Sequence, residues 1–407
     1  PNLRAVTHTR VWYEDPVPGG RTALTLQLSD LKFLGSRWER EGIRRVDGEK
    51  LLTTSELLPG EEFFLGEVNN KENPDYYSPF PVEQINNIPE KEQALVLNFR
   101  NIEQGHMVRA SKQVSARGDD YTRYSDLSWY WFNPNHTTAD LDIYFRVGAD
   151  TLNYYEVNHK FSDSAVKTGW HNMNINIAEL SNAKNGVLDD NGHIRSTVRD
   201  RRSGEIYEVR VVGRPDLRLV KRYYFGFKNN DLSEPASGYF YLNDVLLEGV
   251  KRDVGLAQRA GVRVNMADVI KVDFDWKHTD DEFHGLDTQS GSGVDNQDWS
   301  LAGNFAVEDF IPLLGFRLPL SGSRRQTINR PKYETNSDIE IIDEDVRNAL
   351  SSIDTQERFS SRLSHSPSKG AIPRYLVDPW SLQVSGSRRS VDGPLNRRRD
   401  KSCLLYT

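Results

Sequence analysis

The chain has 407 residues, of which 37% are apolar and 27% are charged, and its formal net charge is −7. This composition suits two or three folded domains, and the acidic balance excludes a general nucleic-acid binder, which needs a basic surface. No apolar run approaches the ~18 residues of a membrane-spanning helix, whereas strands that cross a membrane remain compatible with the sequence.

Strand signals dominate the first 250 residues. Runs rich in β-branched and aromatic residues alternate with turn clusters of Gly, Pro, Asn and Asp. These runs cover 22–35, 141–148, 205–213 and 238–249. Two short helices are expected, near 175–182 and near 343–352, and Asp343 is the expected N-cap of the second.

An internal repeat organises this region. At an offset of 214 residues, PNLRAV (1–6) returns as PDLRLV, and LSDLKFLG (28–35) returns as LNDVLLEG. Duplication of a β-sandwich explains both matches. We therefore expect the C-terminal strands of a preceding sandwich in 1–40, an extended connector in 41–94 and a complete sandwich in 95–250. The chain begins at proline without a leader pattern, so we expect an internal fragment of a longer protein.

Strict period-two alternation follows the sandwich. From Ile270 to Lys277 every second side chain is apolar and every side chain between is charged, which indicates a strand with one dry face and one wet face. A similar strand precedes the tight turn ADV, and a long polar loop leads to WSLAGNFAV and LLGFRLPLSG. Runs of about 9–11 residues match the length that a tilted strand needs to cross a bilayer. Connections that alternate short and long are typical of outer-membrane barrels.

These strands give residues 251–330 two predicted faces. The predicted lipid-facing residues are Val262, Val264, Ile270, Val272, Phe274, Trp276, Trp299, Leu301 and Phe305. The predicted lumen-facing residues are Arg259, Arg263, Lys271, Asp273 and Asp275. Arg or Lys on a lipid face costs ~2–4 kcal/mol at mid-membrane, and the first group contains neither. Trp276 and Trp299 would lie in an aromatic girdle.

A soluble antiparallel sheet packed on one face gives the same alternation, and periodicity alone favours it. The energetics permit lipid contact without requiring it. The alternation alone therefore does not decide whether the apolar face contacts a protein core or lipid.

No enzymatic site is expected. HTDDEFH (278–284) matches no standard zinc spacing, so a solvated acidic loop is predicted. Asp273 and Asp275 share a face with Lys271 and Lys277, which favours an ion-pair ladder over the carboxylate pair of a glycoside hydrolase. Nucleotide and acyl-transfer motifs are absent, so no catalytic residue, metal or cofactor is expected.

SWYWF (128–132) is the strongest candidate for binding. Trp129 and Trp131 share one face of the predicted strand. Aromatic faces can stack on sugar rings, but a central strand of a sandwich normally buries such residues, and we favour core packing.

An ordered series of motifs extends through residues 238–340. It comprises D-V-G-L-A-x-R-A, x-A-D-V-I-K-V, F-H-x-L-D, then Phe310-Ile311-Pro312 before G-F-R-L-P, and finally R-P-K-Y with D-I. This series resembles the SprA family, very large cell-surface proteins of gliding motility and type IX secretion. Residues 1–237 fit more loosely, as sandwich segments that interrupt the family's barrel.

The resemblance implies a fold and a role. The expected fold is all-β: jelly-roll-like β-sandwich domains followed by antiparallel strands of a large transmembrane β-barrel. The implied function is a protein-export pore in the bacterial outer membrane, and the chain supplies only a few of its strands. The implied partners are outer-membrane lipid, secreted cargo proteins, a smaller barrel protein at a lateral opening and a periplasmic plug protein. The alternative is a surface-attached carbohydrate-binding or adhesive sandwich protein.

The C-terminal part departs from the pattern. Residues 331–382 are expected to form a loop with helical segments. From about Gln383 the sequence is basic and lacks strand alternation, so 383–407 is expected to be disordered or an artefact of the sequence.

Overall fold

The computed structural model describes residues 38–85, 88–134, 141–160, 168–230, 234–267, 269–288, 291–310, 315–366 and 370–406. Within these residues 59% of the structure is strand and 7% is helix, arranged as three antiparallel sheets and one two-stranded hairpin, so the all-β prediction is confirmed. The first copy of the repeat and nearly all of the segment 1–40 lie outside the described residues.

Two sheets form a β-sandwich that extends to residue 250. Its strands are β1 (Trp38–Arg45), β2 (Glu62–Asn69), β3 (Gln84–Ile85), β4 (Ile88–Pro89), β5 (Gln93–Ile102), β6 (His106–Gln113), β7 (Tyr124–Asn133), β8 (Leu141–Gly148), β9 (Tyr154–Lys160), β10 (Gly169–Asn176), β11 (Val187–Leu188), β12 (Ile194–Arg199), β13 (Ile206–Val212), β14 (Arg222–Asn229) and β15 (Ala236–Val250). One sheet has the order β1-β6-β14-β8-β9-β13-β12-β11 and the other β10-β7-β15-β5-β2, while β3 pairs only with β4.

The sandwich core is aromatic. Trp129 and Trp131 on β7 are 2% and 1% exposed, and Trp129 stacks on Phe145 at 4.5 Å between ring centroids. The core-packing interpretation of these two tryptophans is therefore confirmed. The intervening Tyr130 and Phe132 face outward and contact aromatic residues of the segment that follows β2.

The prediction of an extended connector in 41–94 is wrong for β1 and β2. Strand β1 pairs with β6, β2 pairs with β5, and each lies at the edge of its sheet. Ile43, Phe63 and Val68 are buried, while Glu39 and Glu62 are exposed. An edge strand buries few side chains, so its sequence looks like a polar connector.

A buried charge network covers the outer side of the eight-stranded sheet. Gly48 and Glu49 both have left-handed backbone angles, φ 68° and 50°, in a short 3-10 turn that follows β1. The Glu49 carboxylate accepts hydrogen bonds from Arg146 (2.8 and 2.5 Å) and from Arg109 (2.8 Å). Burial alone would raise the pKa of Glu49, but Arg146 and Arg109 lower it to about 2.

The remaining strands form a third sheet, here called the wall. Its strands are β16 (Ala257–Met266), β17 (Ile270–Thr279), β18 (Val294–Ala306), β19 (Phe316–Arg317), β20 (Pro319–Pro331), β21 (Ser352–His365), β22 (Ser381–Asp392) and β23 (Arg397–Tyr406). Seven of them follow the order β16-β17-β18-β20-β21-β22-β23, and β19 pairs with β21. Each long strand is therefore bonded to its neighbours in sequence.

The connections of the wall differ from the expected alternation. Short turns occur at both ends of the sheet, between β16 and β17 and between β22 and β23. Long connections also occur at both ends. Those between β17 and β18 and between β20 and β21 lie at one end, and those between β18 and β20 and between β21 and β22 lie at the other. The end near residues 251–256 and 280–288 is here called the sandwich end.

Three short α-helices occur in the described chain, α1 (Ile177–Asn182), α2 (Glu344–Ala349) and α3 (Ala371–Leu376). The two predicted helices are confirmed, and the Asp343 carboxylate caps α2 by accepting from the Asp345 amide at 2.8 Å. In the part of the chain that the structure describes, no helix is long and apolar enough to cross a membrane.

The predictions for the C-terminal part are only partly confirmed. The segment 331–382 contains the expected helical segments, α2 and α3, but also the strand β21. The expectation of disorder in 383–407 is wrong, because this tail forms most of β22 and all of β23. These strands carry polar side chains on both faces, so they show no hydropathy alternation. Pairing with β20 and with one another decides their conformation instead.

Candidate functional site

One face of the wall carries no charged side chain across β16–β18 as far as Trp276 and Trp299, beyond which His278 contacts Asp295 at 3.1 Å. In its register Val262 lies opposite Phe274, Phe274 opposite Leu301, and Trp276 opposite Trp299. Directly opposed residues of antiparallel strands project from the same face. All nine predicted lipid-facing residues therefore share this face, here called the apolar face. No core covers them in the described chain, since Val262, Leu301 and Phe274 are 58%, 44% and 37% exposed.

The opposite face, here called the charged face, is a ladder of ion pairs between neighbouring strands. Arg259 contacts Asp275 at 2.9 Å, and Arg263 bonds to Asp273. The ladder continues across later strand pairs with Asp298–Arg325 at 2.5 Å and Asp354–Arg389 at 2.6 Å. The five predicted lumen-facing residues lie on this face, and the ladder that was expected around Asp273 and Asp275 is formed with arginines of β16.

The pairs of the charged face are exposed, so each adds little stability. On β16–β18 acids and bases alternate without a large excess of either sign, so this part of the face is well hydrated.

The connection 332–341, here called the junction loop, ties the wall to the sandwich. Asp338 is 2% exposed and accepts hydrogen bonds from the Tyr155 hydroxyl (2.9 Å) and the Leu217 amide (2.7 Å). Lys184 also donates to this carboxylate. Burial and the adjacent Asp338 raise the pKa of Tyr155 well above its ordinary value, so its hydroxyl remains a donor.

An open cavity of about 670 Å³ lies beside the junction loop. Its lining mixes acidic and basic side chains from the sandwich and from the long loops of the wall, including Arg123, Lys251 and Glu282. Burial, followed by a hydrogen bond with Asp280, raises the pKa of Asp281 to about 6. The cavity wall therefore gains a negative charge as the pH rises through 6.

Replacing Asp338 by alanine is expected to loosen the junction without unfolding the sandwich. Three buried donors lose their acceptor, and an unsatisfied buried group costs about 1–3 kcal/mol. Hydrogen exchange in the junction loop should rise by tenfold or more. The exposed Glu340→Gln change in the same loop is the matched control and should leave exchange unchanged. Equal exchange in both variants would contradict the assigned role of Asp338.

The junction residues coincide with the last motif of the series that resembles the SprA family. The motif R-P-K-Y with D-I contains Tyr333, Asp338 and Ile339. Tyr333 donates to Thr122 at 3.2 Å, and Ile339 is buried. By contrast, the described residues contain no group of His, Cys, Asp and Glu that could hold a metal ion.

A family model described as a motility related/secretion protein matches residues 67–344, more than half of the chain. The chain belongs to this family, SprA_N, and the resemblance predicted from the motifs is confirmed. No curated protein matches the chain.

Proposed function

We propose that the chain is a segment of an outer-membrane translocon that exports proteins through the type IX secretion system and supports gliding motility. The observation that carries the proposal is the uncharged face of β16–β18, backed directly by a face of Asp–Arg pairs. A sheet of this kind suits a boundary between hydrocarbon and a hydrated lumen. Membership of a motility and secretion family supports the same conclusion.

The proposed mechanism is passive, and no catalytic step is assigned. Arg259, Arg263, Lys271, Asp273 and Asp275 line the lumen with balanced charge, so cargo proteins pass through water without tight binding. Val262, Val264, Ile270 and their neighbours on the apolar face contact lipid. The longer protein supplies the remaining strands, and a lateral barrel partner and a periplasmic plug complete the machine.

Nitroxide labels in the intact parent protein test the placement of the two faces. Labels at Phe274 and Phe305 should be accessible to membrane-dissolved oxygen and protected from a water-soluble nickel complex. A label at Ser300, on the charged face, should give the reverse result. Labels at Phe274 and Phe305 that respond only to the nickel complex would overturn the proposal.

Deletion of the gene tests the role rather than the placement. Type IX secretion and gliding should both be lost. Normal secretion in the mutant would contradict the export function.

Carbonate extraction of membranes tests the alternative function. Release of the protein by carbonate would favour the surface-attached sandwich protein.

A further inference from the structure

The apolar face changes character between β18 and β20. One row of directly opposed residues crosses the wall through Phe274, Leu301, Arg324, Glu357, Arg388 and Lys401. Its first members are apolar and its last four are charged, although all of them project from the same face. Cations in hydrocarbon at mid-membrane cost ~2–4 kcal/mol each. The row therefore cannot lie at one depth inside a bilayer.

The rows further from the sandwich end stay uncharged. The next row contains Val272, Gly303, Gly322, Phe359, Gly386 and Cys403. The apolar area consequently ends at Trp276 and Trp299 on β17 and β18, but two rows lower on β20–β23. Its upper limit therefore drops by two rows in one step, between β18 and β20.

Strand tilt carries this row toward the membrane boundary. Strands of membrane barrels tilt by about 35–45°, and neighbours lie about 4.8 Å apart. A row of directly opposed residues therefore changes depth by about 3 Å for each strand crossed. Leu301 lies two residues below Trp299 on β18, or about 5 Å in depth. With the β23 edge raised, the row gains about 12 Å over the four crossings from β18 to β23, so Arg388 and Lys401 reach the depth of Trp299 or pass it.

We propose that Arg324, Arg388 and Lys401 form a binding belt for the phosphate headgroups of anionic lipids at the membrane boundary. The inference rests on the proposed function, because it requires the apolar face to contact lipid. Guanidinium groups match phosphate oxygens in two parallel hydrogen bonds. The Arg324 guanidinium lies 5.7 Å from the Trp299 ring centroid, so the belt continues the aromatic girdle.

The belt carries more positive charge than its surroundings neutralise. Glu357 is shared by Arg324 at 3.7 Å and Arg388 at 4.0 Å. Lys401 lies directly opposite Arg388 and, like Arg399 in the row above, forms no ion pair within the described part of the chain. The Arg324 and Arg388 side chains are 54% and 51% exposed, so their heads are free to reach a headgroup.

The neighbouring arginines provide a matched control. Arg325 and Arg389 adjoin Arg324 and Arg388 in sequence but point to the charged face. There each already pairs with an aspartate, at 2.5 Å from Asp298 and 2.6 Å from Asp354 respectively. Removing either pair of arginines changes the net charge equally, whereas only one pair can face lipid.

The test uses the full-length protein in phosphatidylcholine bilayers with traces of spin-labelled phosphatidylglycerol or spin-labelled phosphatidylcholine. The motionally restricted fraction of each label measures association with the protein surface. The wild type should prefer phosphatidylglycerol by about fivefold for each engaged cation. The double variant R324Q/R388Q should lose most of this preference, and R325Q/R389Q should keep it.

The possible results distinguish failure of headgroup binding by the belt from failure of the proposed membrane placement. If the wild type restricts both spin-labelled lipids equally, the lipid-binding role of the belt would be overturned, although the apolar face would still contact lipid. An acidic protein surface would then be favoured as the partner of the belt. Equal loss of preference in both double variants would also overturn the lipid-binding role. Absence of restricted lipid of either kind would remove the proposed membrane placement together with the belt.

Discussion

Replacing Leu301 by lysine is expected to reduce the amount of the parent protein in the outer membrane sharply and to impair secretion with it. Leu301 lies between Phe274 and Arg324 in its row and below Trp299 on its own strand. On the proposed placement its side chain therefore lies within hydrocarbon, where lysine costs about 2–4 kcal/mol. Quantitative immunoblots of outer-membrane fractions and assay of a secreted reporter measure both effects.

Ser300→Lys is the matched control, since Ser300 is the neighbouring residue on the charged face. It lies between Asp275 and Arg325, so a lysine there meets a carboxylate and water. Membrane levels and secretion should stay near those of the wild type. The contrast between adjacent positions separates lipid contact from general damage to β18. On a soluble sheet both lysines would be tolerated, because Leu301 is already 44% exposed.

The sequence predicts β16–β18 because their two faces differ in polarity. Ile270 to Lys277 alternates without exception, and such alternation specifies both the strand and its faces. Strands β21–β23 carry Glu357, Arg388 and Lys401 on the face that is apolar elsewhere. Their pattern therefore has no dry face to recognise. The placement proposed for that part of the face depends on strand tilt, which is a property of the assembled wall and has no signature within one strand.

A single sequence also does not predict which residues pair in the buried charge network and at the junction. Glu49 bonds to Arg146 and Arg210, far away in the chain, and Asp338 bonds to Tyr155 across 183 positions. Local patterns carry no information about such pairs. Charged residues on the edge strands therefore have the same local pattern as a connector, and the junction motif by itself indicates only a family resemblance.

Replacing Glu156 by glutamine is expected to destabilise the sandwich by about 3–5 kcal/mol, because the change leaves the buried Lys228 without a carboxylate partner. Glu156 is fully buried and accepts from Arg146 at 2.6 Å, Lys228 at 2.7 Å and Arg210 at 3.1 Å. Arg146 keeps Glu49 as a partner, whereas Lys228 loses its only carboxylate among the described residues. Amide exchange in β8 and β9 should accelerate by about 100-fold or more.

Glu208→Gln is the control for that change. Glu208 also pairs with one lysine and one arginine, Lys160 at 3.2 Å and Arg195 at 2.6 Å, but both partners are more than half exposed. An exposed pair contributes about 0–1 kcal/mol, so exchange should change little. Equal effects of the two glutamine variants would contradict the special role of the buried network.

The pH dependence of stability distinguishes lost charge from lost packing. Burial alone would raise the pKa of Glu156, but Arg146, Lys228 and Arg210 hold it well below its ordinary value of 4.5. A depressed pKa means that the contribution of Glu156 is complete above pH 4.5 and is lost as the pH falls toward the folded-state value. The wild-type sandwich should therefore lose stability on acidification below pH 4.5. Glu156→Gln should respond less steeply, because only Glu49 and the remaining carboxylates still titrate, and a slope equal to that of the wild type would show that Glu156 acts through packing alone.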